Sequence, residues 1–488
     1  MSLINIQHLN FAYEGSYDPI FEDTSFQIDT NWKLGFIGRN GRGKTTFLKL
    51  LLGQYEYSGN ISASVSFDYF PYPVQDPSLN TLEILDGIVP DYEYWRLSKE
   101  CSLLDLSEEI FYRPFDTLSF GEQTKILLAA LFLKENNFLL IDEPTNHLDL
   151  KAREIVSQYL KRKKSFILVS HDRSFLDACV DHVLSINKTG IDVQQGNFSS
   201  WHQNKEYSDQ FELAENEKLK KDIKRLSEAA RRTATWSDKT EISKWGPDVP
   251  DRGFVGHKSA KLMKRAKSTE QRMEKAIDAK TQLLKNIENN ETLKIIPLPY
   301  PQQRLIEVNQ LSLSYDQNHV FKNVNFSITQ GQRVAIQGKN GCGKSSLLKI
   351  LLGQITDFQG TLYRGSNLKI SYVSQDTTFL KGSLDQFAAQ QNIDQTLFKT
   401  ILRKLDFSRI QFEKNMEDFS EGQKKKVLIA KSLCEQAHLY IWDEPLNFID
   451  VLSRMQIESL LLTYQPTMIF VEHDRTFTDR IATEIVSL

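Results

Sequence analysis

Apolar positions along this chain follow two different rhythms. The run "KLGFIG", residues 33 to 38, is apolar over a strand's length, gives way to a polar glycine-rich loop, and is followed by the helical pattern of "TFLKLLLG". The same strand, loop and helix return as "RVAIQG" and "SLLKILLG". Residues 204 to 303 read differently. There Leu219, Ile223, Leu226 and Ala230 recur at i, i+4, i+7 and i+11, and Leu262, Ala266, Met273, Ile277, Leu284 and Ile287 do much the same farther on. Between these runs stand the helix breakers Gly246, Pro247, Pro250, Gly253 and Gly256. The pattern predicts two long helices folded into an antiparallel hairpin with an irregular tip near 243–256. At ~1.5 Å per residue, about 30 helical residues would carry that tip on the order of 45 Å.

The flanks are one unit written twice. "GRNGRGKTT" begins at Gly38 and "GKNGCGKSS" at Gly338; Ser119 of "LSFGEQ" stands 301 residues before Ser420 of "FSEGQ". Asp142 and Asp443 are also 301 apart, and His171 and His473 are 302 apart. Four motifs in one order at one spacing define two copies of a domain, residues 1–203 and 304–488, joined by the segment 204–303.

The repeated motifs carry phosphate chemistry. Gly38, Gly43, Lys44 and Thr45 satisfy G-x-x-x-x-G-K-[ST], as do Gly338, Gly343, Lys344 and Ser345. Glycines let backbone N–H groups curl around phosphate oxygens at a helix N-terminus, the lysine adds a point charge, and the hydroxyl can ligate Mg²⁺. Asn40, Gly41 and Thr46 complete the first candidate loop, and Asn340, Gly341 and Ser346 the second. The apolar strands "NFLLID" and "HLYIWD" each end in an Asp able to hold Mg²⁺, followed at once by Glu143 or Glu444, placed to orient an attacking water. His171 and His473 each follow a buried-looking strand and are candidate γ-phosphate sensors.

This order of motifs resembles the ATP-binding cassette family, to which the SxGxQ-type signature is specific. The resemblance implies an α/β fold with two P-loop cassettes closing head to tail. Lys44 would then share one ATP with Ser420, Gly422 and Gln423, and Lys344 another with Ser119, Gly121 and Gln123. Tyr13 and Tyr315 match the aromatic that stacks on adenine. The sequence departs from the family pattern in three places. The second cassette has Gln375 at the expected glutamine, whereas in "YFPYPVQ" either Tyr72 or Gln75 fills that position. Glu421 replaces the usual signature glycine, and Cys342 stands at a variable position of the second phosphate loop.

Composition narrows the setting. The chain is 40% hydrophobic and 25% charged, ordinary for a globular protein, and its longest apolar runs fall far short of the ~20 residues a membrane span needs. No secretory signal is evident in "MSLINIQHLN", and the four cysteines lie too far apart for a disulfide framework or a zinc site, so a cytoplasmic protein is expected. A formal charge of -3 hides a local patch. From Lys218 to Arg272 there are 16 Lys+Arg against 7 Asp+Glu, a net +9 that leaves -12 for the remainder. Such a protrusion suits a polyanion, and Trp236, Trp245 and Phe254 interleave with the basic residues as stacking on unpaired bases requires.

The whole chain resembles the ABC-F family, twin-cassette ATPases that act on the ribosome, and within it the Lsa/Vga-type antibiotic-resistance proteins. "DEPTNHLD", "DRGFVGHKSAKLMKRAKS" and "QPTMIFVEHD" carry that likeness. It implies a monomer with intramolecular cassette pairing, ATP and Mg²⁺ as cofactors, and the bacterial 70S ribosome as partner. The hairpin would enter the tRNA exit site, with Arg231, Arg232, Trp245, Arg252, Phe254, Lys258, Lys261, Lys264, Arg265 and Lys267 as candidate RNA contacts. The first cassette shows no added arm, since Lys44 to Ser119 and Lys344 to Ser420 span 75 and 76 residues. Protection of the peptidyl-transferase region from lincosamide, streptogramin A and pleuromutilin drugs is the expected function. The alternatives are a housekeeping factor for stalled ribosomes and a transporter's ATPase subunit.

Overall fold

The computed structural model describes residues 2–14, 19–146, 148–187, 190–242, 272, 293–315, 318–339 and 341–488, with backbone only for 226, 229–242, 315 and 318. In the first cassette a six-stranded sheet runs in the order Ser66–Phe70, Asn137–Asp142, Phe166–Val169, Lys33–Gly38, His182–Asn187, Gly190–Gln195. All pairings are parallel except the last. The second cassette repeats the plan with five strands, Ile370–Val373, Leu439–Asp443, Met468–Val471, Arg333–Gln337 and Glu484–Ser487, all parallel. Strands covered on both faces must be apolar throughout, which is why Phe138 to Ile141 and Leu439 to Trp442 are buried without alternation. A three-stranded antiparallel sheet adjoins each, built on Leu3–Phe11 and Arg304–Tyr315.

The parallel order decides where the chemistry sits. In each cassette the phosphate-loop strand and the strand ending in Asp flank a common neighbour, so their C-terminal ends open onto one crevice. The chain forms two compact units, residues 1–201 with 290–488, and residues 202–289. The inter-cassette segment starts as one helix, Phe198–Ile242, rooted by Phe198 and Trp201 in the core of the first cassette. The second helix of the expected hairpin lies outside the described residues. Leu293 and Ile295 are already buried in the second cassette's core, ahead of its first strand. No helix among the described residues is long and apolar enough to cross a membrane.

Candidate active sites

Glycine sets both phosphate loops. Gly43 and Gly343 take φ 95° ahead of the helices Lys44–Leu51 and Lys344–Leu352. A Cβ there would lie 2.4 Å from Ile20 or 2.3 Å from Val320, so a side chain is excluded by space as well as by backbone angle. Lys44 Nζ turns back to donate to the carbonyls of Gly38 at 2.7 Å and Arg39 at 3.2 Å, and Lys344 Nζ to those of Gly338 and Lys339, both at 3.0 Å. Thr45 Oγ1 donates to Asp142 Oδ2 at 2.9 Å, and Ser345 hydrogen-bonds Asp443 likewise. Asp443 Oδ1 is buried without a hydrogen-bond partner among the described residues, an oxygen well suited to a hard divalent cation.

The two glutamates share an unusual backbone. Glu143 and Glu444 have φ 51° and 47°, held by N–H bonds to Val169 O at 2.9 Å and Val471 O at 3.1 Å. Left-handed backbone is uncommon for residues with a side chain and clusters at working sites. His171 Nε2 lies 3.2 Å from Glu143 Oε1, and His473 Nε2 lies 3.4 Å from Glu444 Oε1. Their electrostatics diverge. Burial, then the adjacent Asp142 carboxylate, push Glu143 up to about 8 against the pull of Lys44 and Arg454. Burial, with Lys44 and Arg454 nearby, holds His171 well below its ordinary value and keeps that imidazole neutral. Burial also tends to raise Glu444, but the His473 hydrogen bond and the charges of His473, Lys344 and Lys425 outweigh it and hold the carboxyl low. Gln375 Nε2 at 2.9 Å and Asn447 Nδ2 at 2.6 Å both donate to Glu444 Oε2.

Each phosphate loop faces the other cassette's signature. Gly341, Gly343, Lys344, Ser345, Ser346, Gln375, Glu444 and His473 line a cavity of about 970 Å³ together with Ser119, Gly121 and Glu122 from the first cassette. At the Lys44 loop the same faces are in contact. Asn40 Nδ2 donates to Phe448 O at 2.7 Å, and a Cβ at Gly422 would come within 2.3 Å of that oxygen and 2.9 Å of Asn40 Nδ2. Arg39 and Arg42 reach Asp406 of the second cassette at 3.9 and 3.6 Å. Gly41 and Gly341 turn at φ 82° and 80° at the loop tips.

The signature helices require one correction. Ser119 caps Phe120–Leu131 and Ser420 caps Glu421–Cys434, each in a capping box completed by the residue three positions on, Glu122 or Gln423. Gln423 is therefore the counterpart of Glu122 rather than of Gln123. The Gln123 amide is spent on the carbonyls of Phe115 and Leu118, both at 3.1 Å, and does not line the cavity. Glu122 takes the place of Gln423, and Gln123 stands one step further round the helix, opposite Lys424.

Strand register resolves the glutamine position. Val373 pairs with Trp442 and Phe70 with Ile141, each one residue before the site Asp, so Tyr72 stands where Gln375 does. Tyr72 is half-buried against the apolar core, Gln75 is exposed, and Tyr69 instead donates to Asp142 Oδ2 at 2.9 Å. Tyr13 is 43% exposed beside the first loop, with its hydroxyl 2.8 Å from Thr46 Oγ1 and its ring in T-shaped contact with Phe11 and Tyr55. Asn340 and the side chain of Tyr315 lie outside the described residues, as do Trp245, Arg252, Phe254, Lys258, Lys261, Lys264, Arg265 and Lys267; Arg231 and Arg232 lie on the Phe198–Ile242 helix, with backbone only described.

Sequence reasoning passed over Arg153 and Arg454, although the 301 repeat in "LDLKAR" and "IDVLSR" marks both. Arg153 Nη1 donates to Asp172 Oδ2 at 3.0 Å in its own cassette and to His473 O at 3.1 Å in the other. Arg454 repeats the first bond with Asp474 at 3.5 Å. Two composite sites, each with a charged phosphate loop, a hydroxyl–Asp pair, a buried Glu–His pair and a signature helix from across the interface, can bind a nucleoside triphosphate and direct water at its terminal phosphate.

Comparisons with known proteins agree. Residues 21–146 and 321–447 match the family described as ABC transporter. The ribosome protection protein VmlR of Bacillus subtilis (strain 168) is 29% identical over 488 residues, 96% of this chain and 84% of that protein. The probable ATP-binding protein YbiT of Escherichia coli O157:H7 is 26% identical, covering 98% of this chain and 95% of its own. Among solved structures, the archaeal ribosome recycling factor aABCE1 in complex with ribosomal stalk protein aP1 superposes with a TM-score of 0.60 at 19% identity, over 94% of this chain and 84% of that one, a likeness of fold. With both halves matched and both composite sites built, the chain belongs to the ABC transporter family, as an ATP-hydrolysing twin-cassette protein of the ABC-F type.

Proposed function

We propose that the protein is an ATP-driven ribosome-protection factor. ATP bound at the two composite sites holds the cassettes closed, the inter-cassette hairpin docks through the tRNA exit site of the bacterial 70S ribosome, and hydrolysis allows release. The effect would be relief of lincosamide, streptogramin A or pleuromutilin inhibition at the peptidyl-transferase region. The observation that carries this reading is the likeness to VmlR over 96% of the chain, inter-cassette segment included. The net +9 of that segment supports a phosphate-rich partner. Lys261, Lys264, Arg265 and Lys267 would meet phosphates, while Trp245, Arg252 and Phe254 would press on nucleotides near the drug.

At the Lys344 site the Glu444 carboxylate, bonded to His473, would orient and polarise water for in-line attack on the γ-phosphate, with Lys344 on the transferred group; Glu143, His171 and Lys44 hold the same places at the other site. Mg²⁺ would be held by Thr45 with Asp142 and by Ser345 with Asp443, and when bound it neutralises charge on the β- and γ-phosphate oxygens.

Whole-chain similarity to YbiT, described only as a probable ATP-binding protein, favours a second reading as a housekeeping factor that relieves stalled ribosomes. In vitro translation with a panel of peptidyl-transferase drugs, with and without the protein, tests the first. Restored synthesis in the presence of drug is expected. Stimulation of stalled but drug-free translation, with none under drug, would replace it by the second.

A further inference from the structure

The helical lobes of the two cassettes share one backbone and differ in chemistry. Helix Tyr94–Leu103 and the turn Glu108–Tyr112 stand 301 residues before Gln395–Lys404 and Arg409–Glu413. The connecting turns share key bonds. Leu106 N–H binds Cys101 O and Phe407 N–H binds Leu402 O, both at 3.0 Å, and Asp105 and Asp406 are both left-handed at φ 55° and 67°. In the first lobe Ser98 donates to Glu108 at 2.5 Å, and Phe111 is buried. At the same places the second lobe has Lys399, Arg409 and Phe412, with Arg403 for Ser102 and Phe407 for Leu106.

These five residues and Glu413 line a cavity of about 740 Å³. Phe407 and Phe412, with ring centres 5.9 Å apart, supply its apolar wall. Lys399 is 2.6 Å from Asp385 and Arg409 is 4.0 Å from Glu413, both largely exposed pairs that a stronger anion can displace. Arg403 makes no ion pair among the described residues. Three cations around an aromatic wall replace two serines and a glutamate, so the positive charge belongs to this lobe and not to the fold.

We propose that this pocket binds a short stretch of single-stranded RNA, with Arg403, Arg409 and Lys399 on neighbouring phosphates and one base against Phe412. Guanidinium forks match phosphate geometry, and an aromatic face accepts any base. A concave pocket of this size admits an unpaired nucleotide but not the flat groove of a duplex. An acidic peptide would leave the aromatic wall without a matching group. This site is separate from the hairpin, and its test needs no ribosome.

Fluorescence anisotropy with a labelled oligouridine across a salt series compares the full-length chain with the triple variant Lys399→Ser, Arg403→Ser, Arg409→Glu, which installs the first lobe's own residues. Affinity should fall ~10-fold near 0.1 M salt, and the slope of log affinity against log salt should flatten by about two. Phe412→Ala should cost roughly fivefold without changing the slope. Cross-linking of the unmodified chain to 4-thiouridine RNA should map to residues 395–413, which decides the matter even if the triple variant folds poorly. Wild-type RNA binding in the triple variant with no cross-link there would overturn the proposal. So would loss of binding to phosphatidylserine vesicles with RNA binding intact, or an equal loss for duplex RNA.

Discussion

The two ATP sites are built from the same parts but joined differently. Around the Lys44 loop, Arg39 and Arg42 hold Asp406 across the interface, and Gly422 lies against Asn40 and Phe448. Around the Lys344 loop the counterparts of the two arginines are Lys339 and Cys342, while Asp105 turns to Lys151 of its own cassette at 3.7 Å; Asn340 and His147, which answer to Asn40 and Phe448, lie outside the described residues. That site keeps a cavity of about 970 Å³. The catalytic carboxylates differ in the opposite sense. Glu444 is oriented by Gln375, Asn447 and His473, whereas Glu143 has Tyr72 in place of the glutamine, and burial with the Asp142 carboxylate beside it favours its neutral form. The tight site is poorly equipped for hydrolysis, and the open one is well equipped. A division of labour follows, with the Lys44 site holding the cassettes together and the Lys344 site turning over.

The largest difference is structural. Asp450 caps the helix Val451–Tyr464 and pairs with Lys426 at 2.8 Å with both side chains buried, whereas Asp149 caps its helix without that partner among the described residues. Asp450→Asn, which strands a buried ammonium, should destabilise the chain by about 3–5 kcal/mol, and Asp149→Ala by ~1 kcal/mol. Chemical denaturation of both variants measures the gap.

Turnover should separate the sites next. Glu444→Gln should lower steady-state ATP hydrolysis ~100-fold, since it removes the positioned carboxylate of the faster site, and Glu143→Gln should lower it only about twofold. Equal losses would end the division of labour. The glutamine position can then be exchanged. Gln375→Tyr should cost about tenfold, and Tyr72→Gln, assayed in the Glu444→Gln background, should raise the residual rate severalfold. The smallest effect is expected at the rim. Cys342→Arg gives Asp105 a partner like Arg42, and an exposed pair of that kind should tighten ATP binding at the Lys344 site by no more than ~1 kcal/mol. Nucleotide titration in the Glu143→Gln, Glu444→Gln background reads it.

Much of this site is legible in the sequence because its chemistry is local. A phosphate loop needs glycine at fixed steps, and a strand ending in Asp-Glu announces itself by its apolar run. What the sequence hides is relational. Placing Glu122 opposite Gln423 depends on which residue closes a capping box, and Tyr72 on a strand register that the count from "YFPYPVQ" leaves open. Arg153 gains meaning only when His473 O, 320 residues away, is brought to its guanidinium. The linker boundary shifts for the same reason. Leu293 and Ile295 fall within the 204–303 segment by the repeat, and only the packed second core reveals that they belong to that cassette.

The most direct test is co-sedimentation of the chain with 70S ribosomes in ATP and in ADP, for the parent, each single Glu→Gln variant at 143 and 444, and the double variant. Cassettes that close on ATP and open on hydrolysis predict ATP-dependent pelleting of the double variant, nearly as strong for Glu444→Gln alone, weak for Glu143→Gln, and absent in ADP. Pelleting that is the same in ATP and ADP for all four proteins would contradict the claim that nucleotide-driven closure governs ribosome binding.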